Sequence, residues 1–578
     1  MMDLNNSKKI TASNFANIMG VSKATLEKWE ENGTYVPQTC ENGEKFFLIE
    51  NLMHVPEIAS MVTSKWEEEM STVPLRDFYS VELFAGAGGL ALGMEKAGFK
   101  HVLLNEFDPH ACNTLRLNRP DWHVVEGDVE QVDFTHWRGK VDFLSGGFPC
   151  QAFSYAGKGG GFNDTRGTLF FQLARAVKEI QPKVFMGENV RGLAAHDNGR
   201  TLETIKNTIK ELGYTLIEPR ILKAIYYQVP QKRERLILIA IRNDYADKVN
   251  FSWPDPYHRV VTLRDAFFKG ELYAQDVPVS VGQSYPEKKK KVMELVPEGG
   301  DWRNLPEDVQ KEYMGASFYL GGGKTGMARR LSMDEPSLTL TCAPAQKQTE
   351  RCHPLETRPL TIREYARIQT FPDDWSFAGN MTAQYKQIGN AVPVNLAWAI
   401  GRSIMRLMNQ IEQYDRLHNK ENTTTEIDNK PYLKNAKIYH TAEGEVAQLS
   451  LFEPESLYIC PGNQPCLIGT CRQANRTWIF EKMMYNYPVT EQELEQHPEL
   501  WKVKKLLIIY RKKVIGYFNV TSLELVDKSW LAGKDYPIKS SKHKSDTQYL
   551  LFHLSPCNEV MPTIRIEDCK QILGKILK

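Results

Sequence analysis

The chain has 578 residues, with 42% hydrophobic and 25% charged, ordinary globular usage that excludes wholesale disorder and leaves room for roughly three to five domains. With 72 Lys plus Arg against 71 Asp plus Glu the net charge is +1, so any footprint for nucleic acid or a membrane surface has to be local. The longest purely aliphatic run, 236–241, is six residues against the ~20 a membrane helix needs, and ten cysteines without a CxxC pair fit reduced thiols in a cytoplasm-like compartment.

Residues 1–75 read as a small polar head, and its first six residues hold no apolar run of the signal-peptide kind. Phe15, Ile18 and Met19 share one helical face. Gly20-Val21-Ser22 is a tight turn ending in an N-cap serine, and Ala24, Leu26 and Trp29 begin a second helix. Asn42-Gly43 ahead of Phe46-Phe47-Leu48-Ile49 signals a hairpin. This order resembles the helix-turn-helix and wing of the MerR and excisionase families, which implies operator DNA as a partner of the segment. The head carries six Lys and eleven Asp plus Glu, net −5, the wrong sign for phosphate, so protein docking stands as an equal alternative. The acidic run Glu67-Glu68-Glu69 and the loop signals at 71–74 set a boundary near residue 75, where a cut is expected to expose little core.

From Tyr79 to about Ile241 short apolar strands, at 81–84, 101–105, 141–145, 184–188 and 236–241, alternate with helical stretches. That alternation predicts a mostly parallel, doubly wound α/β sheet. Residues 243–356 lose the rhythm: Pro254, Pro256, four lysines at 288–291, Pro297-Glu298-Gly299-Gly300 and Gly321-Gly322-Gly323 describe an irregular insert. The α/β unit, 76–242, resumes at 357–415 with a helix near 394–408. Residues 416–430 are polar and read as a linker. Residues 431–578 read as an accessory α+β domain of unknown role, with strands at 506–510 and 514–520. Its cysteines Cys460, Cys466 and Cys471 lack zinc-ribbon spacing, so no metal is expected.

Chemistry-bearing residues gather at the expected carboxyl ends of the strands. Phe84-Ala85-Gly86-Ala87-Gly88-Gly89-Leu90 follows the first strand and opens a helix, where glycines let a ligand approach backbone N–H groups. Glu106, in Asn105-Glu106-Phe107-Asp108, comes twenty residues after Gly86 and suits a ribose diol; Asp128-Val129 at the next strand end suits an adenine amino group. The glycines alone are more readily a plain turn; joined with Glu106 and Asp128 they favour a nucleoside cofactor. Gly146-Gly147-Phe148-Pro149-Cys150-Gln151 puts a thiol at a strand end, where a reactive thiolate is available, although a small core residue is the alternative. The glycine-rich stretch 157–162 reads as a loop that closes on a substrate. Gly187-Glu188-Asn189-Val190 sets a carboxylate beside Cys150, or simply a solvated strand end. In Gln231-Lys232-Arg233-Glu234-Arg235, alternation puts both arginines on one face, for a site or for the surface. Arg363-Glu364-Tyr365-Ala366-Arg367-Ile368-Gln369-Thr370-Phe371-Pro372 and Gln387-Ile388-Gly389-Asn390-Ala391-Val392-Pro393 complete the series.

In this order FAGAGG, NEFD, GGFPCQAFS, GENV, QKRER, REYARIQTFP and QIGNAVP resemble the DNA (cytosine-5) methyltransferase family of restriction–modification systems, over about residues 81–396. The resemblance implies a Rossmann-like methyltransferase sheet, S-adenosyl-L-methionine as cofactor and double-stranded DNA as substrate. It further implies a cognate restriction endonuclease in the same system, a cytoplasmic, nucleoid-associated location with no membrane, and a target recognition domain at 243–356. Cys150 would add to carbon 6 of a cytosine flipped out of the stack, turning carbon 5 into a nucleophile. Glu188 would serve ring nitrogen 3, Arg235 the ring oxygen, and Arg233 the thiolate neighbourhood. The cofactor would lie on Phe84, Ala85, Gly86, Gly88, Gly89, Leu90, Glu106, Phe107, Asp128, Val129, Pro149, Asn390 and Val392. The head, outside the resemblance, is expected to be dispensable for this chemistry. A transfer-RNA cytosine-5 methyltransferase is the alternative on the same scaffold; an insert of more than a hundred residues favours DNA. An amino-methylating enzyme would need a Pro-Pro pair, which the chain lacks.

Overall fold

The computed structural model describes residues 8–41, 43–149, 169–319 and 325–418, together with six strand segments between 449 and 556. They fall into two units, 1–434 and 435–578. The first is built on an eight-stranded sheet: β1 (Phe78–Leu83), β2 (Phe99–Glu106), β3 (Val124–Glu126), β4 (Phe143–Gly146), β5 (Val184–Val190), β6 (Tyr214–Leu216), β7 (Arg220–Lys223) and β8 (Glu234–Arg242). The order is β3-β2-β1-β4-β5-β8-β7, with β6 also on β8. β1 to β5 run parallel. β8 is antiparallel to β5 and to both short strands. The strand order reverses between β1 and β4, and in an open parallel sheet the carboxyl ends at such a reversal form the ligand crevice.

Alternation along β8 shows why both faces are covered. Ile237, Ile239 and Ile241 join a core with the helix Val394–Leu417, whereas Leu236, Leu238 and Ala240 join a second core with the helix Leu169–Ile180. Helix Val394–Leu417 lies so close on helix Gly89–Lys96 that a Cβ added at Gly93 would stand 2.4 Å from the Cβ of Ala397. That helix is longer than the sequence suggested: its end takes up the first two residues of the expected linker, and residues 419–430 lie outside the described residues.

In the head, strand Lys9–Thr11 pairs with Lys45–Leu48, which also pairs with Gln38–Thr39. Helices Ala12–Met19 and Lys23–Glu31 are joined by a turn that Gly20 enters at φ +71°. The Ser22 hydroxyl accepts the Thr25 N–H at 3.1 Å and caps the second helix. Phe15, Ile18, Leu26, Phe47 and Ile58 form the head's core, but Ile225 and Val260 of the α/β unit complete it. Tyr226 donates its hydroxyl to the Ile18 carbonyl at 2.7 Å. The expected boundary near 75 cuts through still denser packing. Trp66, 2% exposed, stacks edge-on to Tyr257 and Trp398, and Arg402 lies 4.1 Å over its ring. The reason is sequence-local: Trp66 and Glu69 face inward from the acidic turn Trp66–Met70, while Glu67 and Glu68 face solvent.

The insert is likewise tied in at both ends. Val249, Tyr257 and Val261 belong to the first sheet core, and Leu263, Phe267, Leu331, Met333 and Leu340 pack with Leu360, Tyr365 and Phe371. A separate small core holds Tyr285, Met293, Val296, Leu305, Ala328 and Cys352.

In the second unit the described residues are all strand. Cys466–Thr470 runs parallel to Lys505–Tyr510, which continues antiparallel through Lys513–Val526 and Gln548–Pro556 to Met484–Val489; Leu449–Ser450 pairs with Lys513–Val526. The two strands expected there form an antiparallel pair with Leu506 opposite Phe518. No helix among the described residues is long and apolar enough to cross a membrane, and none of their His, Cys, Asp and Glu residues gather into a metal-binding group.

Candidate active site

The glycine loop leaves β1 with strained geometry. Phe84 sits at φ +59°, Gly86 at +55° and Gly88 at +85°. Gly88 has no room for a side chain, because a Cβ would lie 2.7 Å from Leu115 and 3.0 Å from Trp375. Gly86 differs: nothing stands within 4 Å of its missing Cβ, so its outer face is open. Glu106, at the end of β2, accepts the Gly86 N–H at 2.8 Å with one oxygen and the N–H groups of Phe107 and Asp108 at 2.9 and 2.8 Å with the other. The carboxylate thus shapes the loop and keeps lone pairs for a diol. Phe107 is 72% exposed beside it, a large ring left uncovered at a strand end. Asp128 spends one oxygen on the Glu130 N–H, and Val129 is buried. An open glycine cradle, a diol-facing carboxylate and an exposed ring fit an adenosyl group.

Sequence reasoning did not foresee what braces this loop. Trp375, 1% exposed, donates its indole N–H to the Ala87 carbonyl at 3.2 Å. Gln369 reaches the carbonyls of Ile388 and Ala391 at 2.7 and 3.2 Å and so fixes the Asn390–Val392 stretch. Behind it, a Cβ at Gly89 would stand 2.2 Å from the Val392 carbonyl, so that packing admits only glycine. Ala85 and Leu90 are buried, Asn390 is exposed, and its amide oxygen accepts from the Cys342 thiol at 3.2 Å.

The second cluster lies across β4, β5 and β8. Glu188, near the end of β5, is 8% exposed and meets the Arg235 Nε at 2.6 Å. β5 and β8 are paired antiparallel with Val190 opposite Arg235, which brings the two side chains together. Glu188 Oε2 lies 3.0 Å from where a Gly147 Cβ would be, so the carboxylate borders the Gly147-Phe148-Pro149 strand end. Asn189 donates to the Phe148 carbonyl at 2.8 Å and holds that turn; Phe148 is buried and Pro149 exposed. Cys150 and the stretch 157–162 lie outside the described residues.

Arg233 does not share the role of Arg235. It is 2% exposed, and its guanidinium reaches the carbonyls of Leu340 at 3.4 Å, Gly389 at 3.1 Å and Asn390 at 3.4 Å. Burial, with Arg235 beside it, pushes its pKa well below the ordinary guanidinium value. Those bonds stitch the insert and the Gly389-Asn390 turn to the mouth of β8. Arg367 is also buried and binds Asp373 along with the carbonyls of Ala266, Gln275 and Asp276. Its motif is therefore a brace between the insert and the sheet.

A family model for C-5 cytosine-specific DNA methylase matches residues 78–406. Among curated relatives, the Type II methyltransferase M.Eco47II of Escherichia coli is 64% identical over 408 residues, which is 70% of this chain and 97% of that protein. The Type II methyltransferase M.PspPI of Psychrobacter sp. (strain TA137) is 61% identical over 400 residues, 69% of this chain and 96% of its own length. M.Sau96I of Staphylococcus aureus, also a Type II methyltransferase, is 51% identical over 342 residues, 58% of this chain and 77% of its own. The matched span takes in the glycine loop, the Glu188–Arg235 pair and most of the closing helix, and on that ground the chain belongs to the C-5 cytosine-specific DNA methylases, enzymes that carry the methyl group of S-adenosyl-L-methionine to carbon 5 of cytosine in DNA.

Proposed function

We propose that this enzyme methylates one cytosine of a specific duplex sequence as the modification half of a restriction system, with Cys150 as nucleophile and Glu188 and Arg235 as the groups that grip the flipped base. The observation that carries this reading is the buried Glu188–Arg235 contact of 2.6 Å at the sheet's carboxyl edge, beside the strand end that leads into Cys150. A carboxyl and a guanidinium held together offer one edge of cytosine a partner for nitrogen 3 and a donor for the ring oxygen. The Cys150 thiolate forms a bond to carbon 6, nitrogen 3 takes a proton shared with Glu188, and carbon 5 becomes the nucleophile. S-adenosyl-L-methionine, when bound, supplies the electrophilic methyl group. Loss of the carbon 5 proton then breaks the bond to Cys150 and restores the ring.

Gly86, Gly88 and Gly89 form the cradle, Glu106 takes the ribose, Phe107 stacks on the adenine, and Asp128 accepts from its amino group. Phe84, Ala85, Leu90, Val129, Pro149, Asn390 and Val392 close the pocket around these. Arg233 acts as a positioning residue through its carbonyl bonds. The insert within 243–356 reads the sequence, and the Type II relatives support a partner endonuclease. The head is a helix-turn-helix-like module, and residues 431–578 an accessory domain outside the chemistry. Bisulfite sequencing of DNA from cells expressing the chain is the test. One fully protected cytosine context, lost with Cys150→Ser, is expected; a Cys150→Ser chain that still protects the context overturns the nucleophile assignment.

A further inference from the structure

We propose that the turn Gly20-Val21-Ser22 of the head and Lys223 of β7 form one wall of the catalytic cleft, and that this wall takes the sugar–phosphate backbone of the substrate duplex beside the methylated cytosine. The inference rests on the DNA-methylating reading and joins Lys223 to a turn that lies outside the residues 78–406 matched by the family model.

A cavity of about 580 Å³ lies between the head and the sheet. Gly20, Val21 and Ser22 line one side and Arg235 the other, so the cavity opens onto the arginine that binds Glu188. A base that reaches Arg235 has left its stack, and the phosphates flanking it follow to the mouth of the same cavity. Charge there is unlike that of the molecule. Arg191, Lys223, Lys232, Arg233 and Arg235 line the cavity against a single carboxylate, Glu234, although the whole chain has a net charge of only +1. None of the head's acidic residues is on this lining. Arg191 is engaged by Glu234 at 2.7 Å and Lys232 by Glu335 at 3.3 Å, while Lys223 pairs with no carboxylate among the described residues.

The turn is built to come close to that free cation. A Cβ at Gly20 would stand 3.6 Å from Lys223 Nζ, and the left-handed φ of +71° favours glycine. Ser22 begins the nine-residue helix Lys23–Glu31 and leaves the positive end of that helix at the rim. Asn17, 6% exposed, lines the same cavity, and its side-chain N–H₂ has no partner among the described residues. A lysine without a counter-ion, a helix N-terminus and an unsatisfied amide donor on one wall match an anionic backbone, which carries no sequence information and fixes register.

The test uses the full chain with tritiated S-adenosyl-L-methionine and a duplex bearing the target site. Ser22→Asp keeps a good N-cap and adds an acid where a helix tolerates it, so a purely structural turn would not feel it. On the wall proposed here it repels phosphate. Both Ser22→Asp and Lys223→Gln are expected to raise KM for DNA by about three- to tenfold, with KM for S-adenosyl-L-methionine and Tm unchanged. Lys223→Gln is expected to flatten the salt dependence of DNA binding by about one phosphate contact, and Lys223→Arg to restore it. Variants whose KM for DNA and salt slope equal the parent's overturn this wall while the methylation reading stands. A parent chain that methylates no DNA overturns both.

Discussion

Glu188 is held at the sheet's edge by one guanidinium, and the two groups share one small buried site. Glu188→Gln keeps the shape and, on the proposed mechanism, removes the proton that nitrogen 3 needs, so single-turnover methyl transfer is expected to slow by about two or more orders of magnitude. Cofactor binding should not change, since Glu106 and the glycine loop lie on other strands; a loss confined to cofactor affinity would reassign Glu188 to that pocket. Glu82 of β1 is a different kind of carboxyl. It is fully buried, bonded by the Ser145 hydroxyl at 3.3 Å, and burial pushes its pKa from 4.5 to about 8. The folded chain therefore keeps this proton while the unfolded chain sheds it above 4.5, so the group's contribution to stability is full below 4.5 and is lost as pH rises to about 8. Urea midpoints at pH 5 and pH 8 are expected to show a drop for the parent that Glu82→Gln makes smaller; equal drops would show that Glu82 does not titrate across this range.

At the scale of elements, two contacts place the site. Helix Gly89–Lys96 must meet helix Val394–Leu417 at Gly93, where even one methyl group would overlap Ala397 and the Trp398 backbone. Gly93→Ala is expected to cost about 1–3 kcal/mol in chemical denaturation, as overpacking does, and to weaken cofactor binding because the same helix begins at the glycine loop. Trp66 is the second contact. Its ring fills a gap between Tyr257, Trp398 and Arg402, so Trp66→Ala is expected to destabilise the α/β unit by about 3–5 kcal/mol. A chain starting near residue 75 loses that ring entirely, so such a chain is expected to be destabilised on packing grounds whatever the head does with DNA. Thermal melts of the full chain and of the truncated chain check this directly: an unchanged Tm would remove Trp66 from the core.

Over the whole molecule, the insert divides into a part that belongs to the sheet and a part that stands on its own core. Residues around 249–267 and 331–340 pack on the catalytic unit, and the small core built mainly from residues between Tyr285 and Ala328, with Cys352, is separate. Exchanging only 285–328 for the equivalent lobe of another family member is therefore expected to move the methylated sequence and preserve the chemistry, whereas exchanging all of 243–356 should damage folding. An unchanged site in bisulfite reads after the smaller exchange would put sequence reading elsewhere. The parallel strands, the glycine loop and the strand-end motifs that carry Glu188 and Arg235 were legible in the residues, because such motifs depend on local backbone geometry and on period-two alternation, both written in short windows; that Glu188 and Arg235 meet was not. β6 and β7 carried too little apolar signal: three or four residues at a sheet edge need no periodic run. By itself the sequence determined the class of chemistry, since its motifs, each set within a few residues, place the chain among the C-5 cytosine-specific DNA methylases. Only the tertiary structure decided where the domains end and what Arg233, Trp66, Trp375 and Lys223 do, because their partners lie far away along the chain and meet them only when the sheet, the head and the closing helix pack together.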